Sequence, residues 1–152
     1  VAESAAAAVA EAAVEAAAGE TNVDVEGVAK AAASGATEGS VNAAAGIEGS
    51  DVDVSKVAKS AAKGATEGAA QGAADTGQSK GSVSDAAGEG ASAGGKKAAD
   101  ENPNVSESEV SDAITEGVED SNTNPESGAG GGDDNQETET ETDDDDGDLT
   151  SG

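Results

Sequence analysis

Acidic side chains near the C-terminal end carry the most specific chemistry in the sequence. Asp144, Asp146 and Asp148 alternate within "DDDDGDLT", and Gly147 lies between the last two. This spacing is typical of part of an EF-hand loop, in which carboxylate oxygens ligate calcium. The match is incomplete, because Thr142 stands where the first aspartate belongs and the sequence supplies no closing glutamate. We therefore expect weak calcium binding at most, and otherwise no cofactor.

The side chains that most enzymes use are missing. The chain has no cysteine, histidine, arginine or aromatic residue. This composition excludes thiolate nucleophiles, imidazole acid–base groups and zinc sites built from cysteine and histidine. Carboxylates are abundant, but acid–base catalysis needs a desolvated carboxylate with a shifted pKa, and few large apolar residues are present to build such a pocket. We expect the protein not to be an enzyme.

The charge balance limits the partners. The chain carries 33 acidic residues against 7 lysines, a formal net charge of -26. Nucleic-acid binding needs a positive surface and is often helped by aromatic stacking, so we expect no nucleic-acid partner. The longest alanine-rich run is interrupted by glutamates, which argues against a membrane span.

The supply of large apolar side chains is small. There are fourteen valines, two isoleucines and one leucine in 152 residues. Few bulky apolar groups combined with a high net charge are typical of disorder. We therefore expect a mostly disordered chain with marginal α-helices and no substantial globular core.

A duplicated segment organises the first half of the chain. "VDVEGVAKAAASGATEG" at 23–39 returns as "VDVSKVAKSAAKGATEG" at 52–68, an offset of 29 residues. Asp24 and Asp53 each stand where a short acidic side chain can cap a helix, with valines placed to form a hydrophobic staple. We predict capped helices at 25–45 and 54–74, which could form a helical hairpin. Further helices are predicted at 5–18 and 107–119.

Each copy of the repeat also carries a helix-pairing face. Valines and then glycines follow one another at steps of three and four residues, and glycines four apart let a second helix backbone come close. The pairing would be between the copies or between chains. The alternative is that the glycines reflect compositional drift, each destabilising its helix by about 1 kcal/mol relative to alanine. The predicted pairing residues are Val25, Val28, Gly35, Gly39, Val54, Val57, Gly64, Gly68 and Gly72.

A short amphipathic segment follows the repeats. Val110, Ile114 and Val118 are four residues apart and form an apolar stripe, which predicts docking on a partner protein or, alternatively, weak packing on the repeats. The segments are then an alanine-rich helix at 1–20, the two-copy repeat at 21–75, a Gly/Ser-rich linker at 76–104, the amphipathic helix at 105–120, and a disordered acidic tail at 121–152.

Three functions are compatible with these patterns. The first is a non-enzymatic, low-complexity structural or protective protein that supplies hydration, solubility or spacing. In composition alone, the chain resembles the hydrophilic late embryogenesis abundant proteins, although its 29-residue period and excess of acid differ from their lysine-rich repeats. The second is a helix-pairing or self-assembly module that the acidic tail regulates. The third is weak divalent-cation binding by that tail.

The sequence leaves the compartment open. Secretion and the cytoplasm of a salt-adapted organism both suit an acidic chain without arginine. Because the sequence begins with Val1 and not with methionine, we expect a processed chain or a segment of a longer one.

Overall fold

The computed structural model describes residues 1–47 and 51–123, and these residues form five α-helices. The helices comprise 82% of the described chain and pack against one another. The helices are α1 (Ala2–Ala18), α2 (Val25–Ala45), α3 (Val54–Asp75), α4 (Lys80–Glu101) and α5 (Glu107–Thr123).

The expectation of a mostly disordered, low-complexity chain without a substantial core is wrong for these residues. The prediction of α-helices is confirmed, but the helices form one packed array instead of marginal, separate rods. The segment 76–104, expected to be a flexible linker, contains α4. Of the expected tail at 121–152, the first three residues end α5 and the rest lies outside the described residues.

Four helices follow a residue whose side chain caps them; for α5 this is Ser106, whose hydroxyl accepts a hydrogen bond from the N–H of Glu109 at 3.4 Å. Asp24 accepts a hydrogen bond from the backbone N–H of Gly27 at 3.0 Å, and Asp53 accepts one from the N–H of Lys56 at 3.2 Å. The hydroxyl of Ser79 caps α4 in the same way. Each bond satisfies a backbone donor that the first turn of a helix leaves without a partner. The backbone N–H of Lys56 also lowers the pKa of Asp53, because it stabilises the ionised carboxylate.

The five helices form two layers. Helices α1, α3 and α5 lie side by side in one layer, and α2 and α4 lie in the other. Helices within a layer are parallel. For example, Gly64 and Gly68 of α3 meet Glu3 and Ala7 of α1, in the same order along both helices. Consecutive helices alternate between the layers. Stacked helix pairs of this kind are the architecture of α-solenoids.

Alanine supplies most of the buried apolar surface. One cluster joins α1, α2, α3 and α4, and within it Val14 and Val83 are the buried residues larger than alanine. The second cluster surrounds Val41, Val110 and Ile114. Such small side chains can fill a core only where the helices lie unusually close together.

Glycines allow this close approach. A methyl group built on Gly64 or Gly68 would lie closer than 3.0 Å to backbone atoms of α1, and one on Gly90 or Gly94 would lie as close to the backbone of α2. The hydrogen that replaces Cβ at these residues points at a carbonyl oxygen, which is the geometry of a Cα–H···O contact. Dispersion between the backbones adds to these contacts, and together they offset the low helix propensity of glycine.

Candidate functional site

A charged residue and the glycine after it form a recurring contact between parallel helices. The carbonyl group of Glu3 in α1 lies against Gly64 of α3. The side chain of the same glutamate accepts a hydrogen bond from Lys63 Nζ at 2.9 Å. This partner raises the pKa of Lys63, since the carboxylate stabilises the charged amine. One residue of α1 therefore holds two consecutive residues of α3.

The same arrangement occurs between α2 and α4. The carbonyl of Lys30 lies against Gly90, and Lys30 Nζ forms an ion pair with Glu89 at 2.8 Å. The lysine lowers the pKa of Glu89.

A third instance joins α3 and α5. The carbonyl of Lys59 lies against Gly117, and Lys59 Nζ pairs with Glu116 at 3.2 Å and with Asp120 at 3.0 Å. These two carboxylates raise the pKa of Lys59, with Asp120 making the larger contribution. In all three instances a glycine face is covered by the helix that lies two positions earlier in the chain.

The glycine face of α2 differs from these three. Gly35 and Gly39 are the repeat counterparts of Gly64 and Gly68, at the 29-residue offset. A methyl group built on either residue would meet nothing within 4 Å, whereas the counterparts in α3 are buried under α1. Two copies of one sequence motif therefore have opposite surroundings in the fold.

An apolar groove of about 530 Å³ lies on this open face, and we name it the α1–α2 groove. Large apolar side chains border it, with Val9 52%, Ile47 54% and Val52 38% exposed. Exposed apolar side chains gathered at one place are typical of an interaction site. The groove is lined by Val1, Ala2, Ala5, Ala6, Val9, Gly35, Ala36, Gly39, Ser40, Ala43, Ala44, Ile47, Val52 and Val57.

The opposite end of the array has a polar surface. The exposed residues of α5 are polar along its described length, and most are acidic or hydroxyl-bearing, such as Asp112, Thr115 and Glu119. Helical repeat proteins need such a polar face on a terminal helix to remain soluble. The α1–α2 groove lacks this protection, so the two ends of the array are unlike.

The structure places the predicted pairing residues in different surroundings. Gly64, Gly68 and Gly72 face α1, and a methyl group on Gly72 would lie 2.8 Å from the carbonyl oxygen of Glu11. Helices α2 and α3 do contact each other, but their glycine faces do not meet, contrary to the hairpin expectation. The four valines are half-buried: Val25 packs on the first core cluster, Val54 on the second, Val57 lines the groove, and Val28 lies on α2.

The stripe predicted to dock on a partner is used within the chain. Val110 and Ile114 are buried, and Val118 is partly buried beside them. Ile114 Cδ1 packs directly on Gly95 of α4, and Val118 packs on Gly88. The described structure thus accounts for all three residues without an external partner.

Two groups of carboxylates bear on metal binding. Asp144, Asp146 and Asp148 lie outside the described residues. Within the described part, carboxylate oxygens of Glu11, Glu15 and Asp75 lie within 4.8 Å of one another, but two of these residues are exposed. Exposed acidic clusters of this kind are common without a metal ion, so we assign no metal to this one.

Sequence reasoning missed most of the groove. Val1, Val9 and Ile47 belong to no repeat position, and only the packing of α1 beside α2 brings them together. The glycines of α4 were missed as contact residues, although the dipeptide Glu89-Gly90 repeats the charged-residue-and-glycine pattern of Lys63-Gly64. That dipeptide alone does not identify a covered glycine, because Glu38-Gly39 and Lys80-Gly81 share the pattern and both of their glycines lie open.

No helix among residues 1–47 and 51–123 is long and apolar enough to cross a bilayer. Comparison of the chain with models of protein families, with curated proteins and with solved structures gives no match.

Proposed function

We propose that this protein is a non-enzymatic interaction module that binds an α-helix in the α1–α2 groove. One observation carries the proposal: Gly35 and Gly39 lie open in α2, while their repeat counterparts Gly64 and Gly68 are covered by a helix of the same chain. The groove therefore has the small-residue floor on which this fold elsewhere seats a parallel helix.

The chemistry of the groove defines its ligand. Its lining is apolar and its floor has no side chains at two positions one helical turn apart, which suits a helix with alanine or glycine at four-residue steps. Ser34 precedes Gly35 where Lys63 precedes Gly64, so the ion pair that accompanies the α1–α3 contact has no counterpart here. We expect the bound helix to be held more weakly than α1 is held on α3, and therefore reversibly.

The other functions considered from the sequence have less support. A hydrated spacer would be an extended chain, whereas five helices pack over the described residues. Catalysis would need a desolvated acid or base, and the buried polar side chains of the described part are Thr37, Thr66 and Ser84. The net charge of -26 argues against nucleic acid as the ligand. We therefore propose neither catalysis nor nucleic-acid binding.

A synthetic peptide of residues 1–20, labelled with fluorescein, is a suitable probe because α1 already covers one glycine face of this fold. We expect saturable binding to the whole protein by fluorescence anisotropy. The double variant Gly35→Ala/Gly39→Ala should weaken binding at least about 10-fold, since two methyl groups would stand between the backbones. Equal affinity of the wild type and the double variant would overturn the proposal.

A control variant and a variant expected to tighten peptide binding complete this experiment. Gly81→Ala adds a methyl group at another helical glycine with open surroundings, outside the groove, and should leave peptide binding unchanged. Ser34→Lys should tighten binding several-fold, because it restores the lysine that pairs with Glu3 at the equivalent position of α3. That gain should disappear when the peptide carries Glu3→Gln.

A further inference from the structure

We infer that the helix bound in the α1–α2 groove is α1 of a second copy, so that the protein forms a two-fold symmetric dimer. This inference rests on the proposed function and names the partner of the same groove. The chain itself supplies both halves of the contact.

The first half of the contact is the fit of α1 to this glycine face. Within the chain, the carbonyl groups of Glu3 and Ala7 lie on Gly64 and Gly68. The face of α2 at Gly35 and Gly39 is the duplicated copy of that surface, with the same sequence "GATEG" at 35–39 and 64–68. A second α1 would therefore meet a surface of the kind that the first α1 already covers. It would do so with its outer face, because its own α3 covers the backbone at Glu3 and Ala7.

The second half is the outer face of α1. Ala5, Ala8, Val9, Ala12 and Ala16 are exposed and follow one another at steps of one to four residues, which places them along one side of the helix. The inner side of α1 is occupied by α3 and α2. One helix thus has a covered small-residue face and an exposed one.

A two-fold axis satisfies the direction of the contact. Helix α1 runs antiparallel to α2, because the N-terminal half of α1 and the C-terminal half of α2 line the same groove. A two-fold axis perpendicular to α1 would make the second α1 antiparallel to the first, and therefore parallel to α2. This is the direction in which α1 lies on α3. In such an isologous contact, each copy gives its α1 and receives the other.

The charges favour this arrangement over a head-to-tail stack. A head-to-tail stack would bury the acidic outer face of α5 against the apolar groove, at a high desolvation cost. The two-fold contact joins the two apolar ends and leaves both acidic ends in solvent. Helix α1 still carries Glu3, Glu11 and Glu15, and each copy has a net charge of -26, so salt should strengthen the dimer by screening the repulsion.

Sedimentation equilibrium of the whole protein tests the inference. Interference optics are required, since the chain has no aromatic residue. We expect a monomer–dimer equilibrium whose dissociation constant falls at least about 10-fold between 0.05 M and 1 M NaCl. Val9→Glu and Gly35→Ala/Gly39→Ala should each weaken the dimer at least about 10-fold, while Gly81→Ala should not change it.

Spin-label distances test the symmetry of the dimer. The chain has no cysteine, so Ala8→Cys and Ala16→Cys each give one labelled position per copy. If the axis crosses α1 near Ala8, the two labels at position 16 should be separated by about 24 Å along the helix axis, because a helix rises about 1.5 Å per residue. They should therefore lie clearly farther apart than the two labels at position 8. Equal distances at the two positions would contradict an antiparallel α1 contact with its axis near Ala8.

The outcomes separate this inference from the proposed function. A protein that stays monomeric in 1 M NaCl but binds the 1–20 peptide through Gly35 and Gly39 overturns the dimer and leaves the helix-binding groove standing. A dimer that the Val9 and glycine variants do not weaken also overturns the inference. A monomer that binds no peptide overturns both.

Discussion

Lys63 Nζ lies 2.9 Å from Oε1 of Glu3, and the backbone carbonyl of that glutamate lies on the residue after the lysine. The ion pair and the backbone contact therefore fix the same register between α1 and α3. The ion pair alone is partly exposed and would contribute little. We expect the glycine to supply most of the stability of this contact, and the charges to select which turn of α1 the glycine meets.

Alanine at the covered glycine should destabilise the fold, and alanine at its open counterpart should stabilise it. Gly64→Ala inserts a methyl group into the backbone of α1, and we expect a loss of about 1–3 kcal/mol in the free energy of unfolding. Gly35→Ala meets nothing within 4 Å and should gain up to about 1 kcal/mol from helix propensity. Urea unfolding of the monomer, at low salt and low protein concentration, followed by circular dichroism measures both.

The critical result is that Gly64→Ala and Gly35→Ala change the free energy of unfolding in opposite directions. The two glycines occupy the same position of the repeat, so propensity alone predicts equal gains. Equal gains at 64 and 35 would show that α1 does not approach α3 as closely as described.

A second matched pair concerns two buried threonines. Thr66 Oγ1 donates a hydrogen bond to the carbonyl of Ala62 at 2.9 Å, whereas Thr37 Oγ1 has no hydrogen-bond partner among the described residues. Thr66→Val should destabilise the protein by about 1 kcal/mol, and Thr37→Val should be neutral or stabilising, because it removes a buried hydroxyl that lacks a partner. Thermal unfolding of the two variants provides the comparison, and a larger loss at Thr37 would contradict it.

Truncation of the buried isoleucine should unfold much of the array. Ile114→Ala removes a fully buried side chain that packs on Gly95. We expect the free energy of unfolding to fall by about 2–5 kcal/mol. The exposed neighbour Thr115 provides the control, since Thr115→Ala should change stability by less than about 0.5 kcal/mol. If Ile114→Ala leaves the denaturation midpoint unchanged, the stripe of α5 is not packed on α4.

Alkaline pH should destabilise the protein. Acidic partners raise the pKa of Lys59, Lys63, Lys96 and Lys97 above the ordinary value of 10.5. A pKa raised in the folded state contributes stability that is complete below the unfolded pKa and is lost as the pH rises through the folded pKa. Deprotonation also increases the net negative charge, so both effects act in the same direction. The melting temperature should therefore fall as the pH rises above 10.5.

Acid should destabilise the protein less than alkali does. Lysine or backbone contacts lower the pKa of Glu89 and Asp53, and the stability that these groups contribute is lost as the pH falls through their folded pKa values. Protonation of the other carboxylates removes repulsion and opposes this loss. If the melting temperature increases as the pH is raised beyond 10.5, the role assigned to the lysine pairs is contradicted.

The sequence predicts single helices well where the signal is local. The cap at Asp24 and the repeat predict a helix at 25–45, and α2 occupies Val25–Ala45. Helix α4 has no comparable signal, because its glycines and serines favour a linker by intrinsic propensity. Its helical state depends on the contacts of Gly90 with α2 and of Gly95 with Ile114, which are visible only in the assembled structure.

The core was missed for a related reason. A count of bulky side chains leaves out the backbone contacts that glycine allows. By that count alone, an alanine core such as the one around Ala65 and Ala69 is too weak to fold. The groove is hidden from the sequence as well. Gly35 and Gly64 have the same local sequence, and only the position of α1 makes one open and the other covered.

Amide hydrogen exchange across α3 tests the central claim most directly, because α3 contacts all four other helices. If glycine-mediated packing unites the array, the amides of buried residues 61–73 should exchange only through global unfolding, at least about 1,000-fold more slowly than an unstructured chain. Gly64→Ala should raise these rates together with those of α1. Exchange within about 10-fold of the unstructured rate would contradict a cooperative five-helix fold.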